Sequence, residues 1–322
     1  MRNNGMLKNT KAFTAALLAA ALMLSACGSG AQTKENAPEP VTQEAKTEEV
    51  KTEEAKPEEV KPEEARTEEK AEETEIQVFI AASLGKVMDE VAKKYNEIHP
   101  EVKIVYNADS SGTLQTQIEE GYACDIFFSA ATKQMDALDE KGFVTEGSRH
   151  DLLNNKLVVL TLKGSGTKVT GLADIEKASS IALADGSVPA GRYTRKALQA
   201  LGKLPEDAEA AEITTAQVSE ALGGVEISEQ SNVSKVLSAV VEGSCEVGTT
   251  YYSDTYGFED KVDVIEVVDS SLTGNVIYPV AQINNDEADE AEVTAASDFL
   301  SFLVSDEAKG IFDSYYFDTD VK

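Results

Sequence analysis

The sequence holds only two histidines and three cysteines in 322 residues, and each scarcity removes a class of chemistry. His99 precedes a proline at the end of a helical pattern and His150 lies in a polar stretch. Neither belongs to a metal-ligating cluster or a general-base pair. Three cysteines cannot make a stapled scaffold. Cys124 and Cys245 read as small buried residues, with a single bond between them as the alternative. There is no glycine-rich phosphate loop ending in Lys-Ser/Thr and no dinucleotide fingerprint. Positive charge is scarce as well: 29 Lys and Arg stand against 58 Asp and Glu, a net charge of −29. That excludes the basic footprint nucleic acid requires. The apolar run at the start, Ala12 to Leu24, is shorter than the roughly 20 residues a permanent bilayer span needs.

What is present begins with that run. A basic start, the apolar stretch and then Leu24-Ser25-Ala26-Cys27-Gly28 give the profile of an export signal. A leucine three residues before a cysteine, with small residues between, is the pattern of a lipoprotein processing site. Residues 1–27 are therefore expected to be a lipoprotein signal, with Cys27 as the lipid-modified first residue of a protein outside the cytoplasmic membrane. An ordinary cleaved signal containing a cysteine is the alternative. From Lys46 the chain repeats Lys/Arg, Thr/Pro, Glu, Glu, Ala/Val every five residues. No large apolar side chain other than valine occurs between Gly28 and Thr74, so ordering this stretch would bury too little surface to offset its entropy. Pro57 and Pro62 oppose a continuous helix, and a period of five keeps no helical face aligned. Residues 28–75 read as a charged, disordered tether spanning about 35–40 Å as a random coil.

The remaining body, 76–322, carries −23 of the net charge. It is long enough for one substantial core or two smaller ones. Strand patterns at Glu75–Ala81, Val102–Tyr106, Asp125–Ser129, Leu157–Leu160, Ile181–Leu183 and Val247–Tyr251 are separated by helical spacings, such as Leu84, Val87, Met88, Val91 and Tyr95. The expectation is an α/β fold with mostly parallel sheets, whose ligands sit beyond the strand C-termini where helices begin. Three such junctions are rich in small and hydroxyl residues: Ala81-Ala82-Ser83, Asp109-Ser110-Ser111-Gly112-Thr113 and Val188-Pro189-Ala190-Gly191. Each serine could simply cap a helix. Three together suggest helix N-termini converging on a small anion.

These junctions also carry a resemblance. Val78-Phe79-Ile80-Ala81-Ala82-Ser83-Leu84, Ser111-Gly112-Thr113-Leu114, Val188-Pro189-Ala190-Gly191-Arg192-Tyr193, Asn232-Val233 and Gly248-Thr249-Thr250-Tyr251-Tyr252 resemble the molybdate-binding components of molybdate ABC transporters. Those belong to the type II periplasmic and extracellular solute-binding proteins. The resemblance covers essentially 76–322 and implies a two-lobed fold with the ligand cleft between the lobes. Lobe 1 would comprise 76–159 and 277–322, and lobe 2 160–276. Joined to the lipoprotein signal, it implies a monomeric, lipid-anchored binder of molybdate and tungstate, not an enzyme. It would need no cofactor and would deliver its ligand to a permease with a cytoplasmic ATPase. Carried over residue by residue, the ligand would be held by the hydroxyls of Ser83, Ser111 and Tyr251 and the backbone N–H groups of Ala190 and Val233. Molybdenum would be held as an oxyanion, with no direct bond from the protein to the metal. Two departures stand out: Asp109 and Gly112 flank the serines, and Tyr252 occupies a position usually small. Asp109 is expected to face solvent or cap the turn; facing the pocket, it would favour hydrogen phosphate instead. A sulfate or phosphate binder, or a tethered adhesion or sensor domain that has lost its ligand, are the competing functions.

Overall fold

The computed structural model describes residues 73–321, so the expected leader and most of the tether lie outside the described residues. The first lobe begins with β1 (Thr74–Ala81), α1 (Gly85–Asn96), β2 (Val102–Asp109), α2 (Ser111–Glu119), β3 (Ile126–Phe128), α3 (Thr132–Glu140) and β4 (His150–Asn155). The chain then crosses to the second lobe: β5 (Leu157–Leu162), β6 (Ser180–Ala184), α4 (Pro189–Ala200), α5 (Thr215–Ala221), β7 (Glu226–Gln230), α6 (Val233–Val241), β8 (Val247–Tyr251), β9 (Val262–Val267) and α7 (Ser270–Thr273). It returns to the first through β10 (Val276–Gln282), α8 (Glu290–Leu303) and α9 (Asp306–Ser314). The expected lobe boundary between 159 and 160 falls inside β5, all of which pairs in the second sheet.

Each lobe is built on one five-stranded sheet, ordered β2-β1-β3-β10-β4 and β7-β6-β8-β5-β9. Neither is mostly parallel, which corrects the expectation from sequence. β1 pairs in parallel with β2 and β3, and β6 with β7 and β8. The pairings β3/β10, β10/β4, β8/β5 and β5/β9 are antiparallel. The cause is the double crossing. Strands β1, β2, β6 and β7 end at the cleft, where helices follow; β5 and β10 arrive from the opposite lobe, enter their sheets at the cleft end and must run the other way. A local strand–helix alternation reveals the first kind of connection but not the second.

Buried apolar faces hold each layer. α1 packs Val87, Met88, Val91 and Tyr95 inward at helical spacing, and β5 buries Leu157–Leu160 completely. Each such side chain contributes about 1.5–3 kcal/mol relative to exposure. Cys124 and Cys245 are both free thiols, buried in separate apolar clusters, so no bond joins them. The net result is that both sheets present strand ends and helix beginnings to one cleft.

Candidate functional site

A small cavity of about 10 Å³ lies in that cleft. Its lining comes from both lobes: Ser83, Asp109 and Ser111 on one side, and Ala190, Val233 and Tyr251 on the other. All five residues expected from the sequence to bind the ligand therefore border a single space. Ser111 is the first residue of α2 and Val233 the first of α6, while Ala190 follows the opening Pro189 of α4. Amides in a helix's first turn have no carbonyl behind them, and the helix dipole places partial positive charge there. Three helix starts thus aim backbone donors at one small volume. Proline at the first position of α4 costs no hydrogen bond and presets its φ.

The hydroxyls are equally directed. Ser111 Oγ accepts from the Ala130 N–H at 2.9 Å, which leaves its own hydrogen free. Ser83 Oγ lies 2.9 Å from the Tyr278 hydroxyl. Tyr251 is 1% exposed, and its hydroxyl meets no hydrogen-bond partner among the described residues. A buried phenol without a partner is costly unless something in the cavity accepts its hydrogen. Burial pushes the Tyr251 phenol well above its ordinary pKa, reinforced by Tyr278, Tyr193 and Asp254 and opposed by the Arg192 guanidinium. It stays a neutral donor at any physiological pH. The set suits a compact, multiply accepting ligand.

Asp109 departs from its expected place. It lines the cavity, and its Oδ1 accepts from the Ser110 N–H at 2.7 Å and from Asn232 Nδ2, across the cleft, at 3.1 Å. The capping role falls instead to Ser110, whose hydroxyl accepts from the Thr113 N–H. Gly112 is there for space: a Cβ would lie 3.0 Å from the Ser187 carbonyl of the other lobe. Tyr252 stacks on Tyr316 with ring centroids 5.1 Å apart, and so turns away into an aromatic contact. No motif along the chain marks Asn155 and Tyr278, which stand behind Ser83 on the crossing strands. Among the described residues no group of histidine, cysteine, aspartate or glutamate could hold a metal ion, and no helix is long and apolar enough to cross a membrane.

A family model described as bacterial extracellular solute-binding protein matches residues 76–318. The chain belongs to that family. Among relatives of this solute-binding protein, the molybdate-binding protein ModA of Escherichia coli (strain K12) is 31% identical over 254 residues, covering 77% of this chain and 90% of ModA. A Bacillus subtilis (strain 168) protein named as an ABC transporter substrate-binding lipoprotein is 27% identical over 247 residues, 76% of this chain and 87% of that one. Among solved structures, a Clostridium difficile substrate-binding domain assigned to a molybdenum ABC transporter superposes with a TM-score of 0.56 at 31% identity. It covers 77% of this chain and 100% of its own. The protein is thus homologous to the ModA proteins and is a non-catalytic, extracellular-type solute-binding protein.

Proposed function

We propose that the protein captures molybdate, and with it tungstate, and delivers it to an ABC permease driven by a cytoplasmic ATPase. Ser83, Ser111 and Tyr251 donate hydroxyl hydrogens and Ala190 and Val233 donate backbone N–H groups to the oxyanion. A lipid on Cys27 holds the protein at the outer face of the cell membrane, with 28–75 as tether. The observation that carries the reading is the partnerless, buried hydroxyl of Tyr251, a residue that lines a cavity bordered by helix starts. Molybdate and tungstate are fully deprotonated dianions near neutral pH, so every oxygen accepts and none donates. Aligned backbone dipoles act at contact distance, where they outweigh the repulsion of a distributed −23 body charge. The homology to ModA and the lipoprotein relative support the same reading.

A second reading rests on Asp109. A carboxylate at the cavity wall repels a dianion and can accept the hydrogen of hydrogen phosphate. Titration calorimetry of the purified chain against molybdate, tungstate, sulfate and phosphate separates the two. Molybdate and tungstate should bind orders of magnitude more tightly than the others. Tighter phosphate or sulfate binding would overturn the proposal in favour of another oxyanion, and no binding at all would point to adhesion or sensing.

A further inference from the structure

Whether the hydroxyl of Ser83 donates to the ligand or accepts from it decides which oxyanions fit this corner. A serine can do either. The answer lies behind it, at the junction of the lobes. Asn155 is the last residue of β4 before the chain crosses to the second lobe, and Tyr278 is the third residue of β10 after it returns. The side-chain amide of Asn155 has one possible orientation. Its Oδ1 accepts from the Lys156 N–H at 2.8 Å, and a backbone N–H can only donate. Nδ2 is thereby turned the other way, donating to Ser253 Oγ at 2.9 Å and to the Tyr278 hydroxyl oxygen at 3.1 Å. Tyr278, fully buried, has thus accepted one hydrogen bond and must place its own hydrogen. The acceptor it meets is Ser83 Oγ at 2.9 Å. Ser83 has then received a hydrogen from behind, and its own points forward into the cavity.

We infer that Asn155 and Tyr278 are positioning and specificity residues, forming a one-way hydrogen-bond relay that makes Ser83 an obligate donor to the bound oxyanion. The inference rests on the proposed oxyanion reading of the site. The relay favours a ligand whose oxygens all accept and disfavours one that must donate a hydrogen at this corner. It also ties ligand contact to the crossing strands, because Asn155 reaches Ser253 of the second lobe with its other amide hydrogen. Burial keeps the Tyr278 phenol neutral, with its pKa pushed well up, so the hydrogen is not lost at physiological pH.

The test is a double-mutant cycle on the full chain, read by calorimetry with molybdate as the probe and hydrogen phosphate as the contrast. Tyr278→Phe keeps the ring and its edge contacts with Tyr251 and Phe317. It should weaken molybdate about three- to tenfold and lower the preference for molybdate over hydrogen phosphate. In a Ser83→Ala background the same substitution should change molybdate affinity less than about twofold, because its effect acts through the serine. Asn155→Asp is the second variant: its carboxylate would take the Tyr278 hydrogen, reverse the relay and weaken molybdate further than Tyr278→Phe. Equal losses from Tyr278→Phe with and without the Ser83 hydroxyl, or no loss in either, would overturn the relay while leaving the oxyanion reading intact. A parent protein that binds none of the oxyanions would overturn the oxyanion reading itself, and the relay with it.

Discussion

Ser83, Ser111 and Tyr251 each bring a hydroxyl to the cavity from a buried position, at 8%, 1% and 1% exposure. Hydrogen bonds to a charged ligand in such a setting are each worth about 1.5–3 kcal/mol. Ser83→Ala, Ser111→Ala and Tyr251→Phe should each weaken molybdate very roughly ten- to a hundredfold by calorimetry. Full affinity in the Ser83→Ala, Ser111→Ala double variant would refute the assignment. Asp254 accepts from the Tyr251 N–H at 3.0 Å and from the Thr250 hydroxyl. Desolvation lifts its pKa to about 6, against the pull of those two hydrogen bonds and of Lys86. The native state then holds a proton that the unfolded state has released. Stability from this group is complete below about pH 4 and falls away as pH rises to about 6, by an order-of-magnitude ~3 kcal/mol. Asp254→Asn removes the titration, so its melting temperature relative to the parent should climb between pH 4 and pH 6. A constant difference across that range would show that Asp254 does not titrate there.

At the scale of elements, the start of α4 shows how a short motif positions a donor. Gly191 follows Ala190, and a Cβ on it would lie 2.1 Å from the Asp185 carbonyl and 2.4 Å from that of Ala184. The helix can press onto the end of β6 only because that atom is missing. Arg195, fully buried one turn on, fastens the same corner: Nη1 donates to the Ala184 and Gly191 carbonyls at 2.8 and 2.9 Å, and Nε to Ile213 at 2.7 Å. Gly191→Ala should therefore cost about 1–3 kcal/mol, a drop of several degrees in Tm, and should also weaken molybdate by shifting the Ala190 N–H. Unchanged stability and affinity would mean the corner yields freely. Elements of this kind were legible because glycine, proline and small residues punctuate them. Two of the four edge strands were not. β4 and β7, His-Asp-Leu-Leu-Asn-Asn and Glu-Ile-Ser-Glu-Gln, lie at the sheet margins, where only part of each strand is covered and the apolar alternation fades.

For the whole molecule, closure of one lobe on the other decides whether the site exists. The Asp109 to Asn232 hydrogen bond crosses the cleft beside the cavity, and Lys86 Nζ donates to the Tyr256 carbonyl at its edge. Asp109→Asn keeps an acceptor for Asn232 and deletes a negative charge beside the dianion. Molybdate should then bind more tightly by roughly 1 kcal/mol, about fivefold, while phosphate gains nothing. A loss of molybdate affinity would show that the latch depends on the full carboxylate charge. The proposed tether and anchor make a separate prediction. Cys27→Ala should release the protein from the membrane fraction without altering the Tm of its folded body, because the lipid on Cys27 is the whole proposed anchor and the acidic tether and body supply no attachment of their own. Deleting 31–72 should leave molybdate affinity unchanged. Firm membrane binding by the Cys27→Ala protein would end the lipoprotein reading.

What the sequence determined by itself was local. Strand–helix junctions, their small and hydroxyl residues and the absence of catalytic clusters depend on neighbours within a few positions, and those marked the turns of Ser83, Ser111 and Ala190; naming these with Val233 and Tyr251 as ligand contacts took the family resemblance. The direction of the crossing strands could not be read that way, because β5 and β10 owe their antiparallel sense to where the chain enters each sheet. Nor could the relay, since Asn155 and Tyr278 are 123 residues apart and meet only where two strands run side by side. Asp109 shows the same limit: its turn predicted a cap or solvent, and an asparagine from the opposite lobe decided otherwise. Short-range chemistry is written along the chain, whereas hydrogen-bond direction in a buried site is fixed only when every partner is in place.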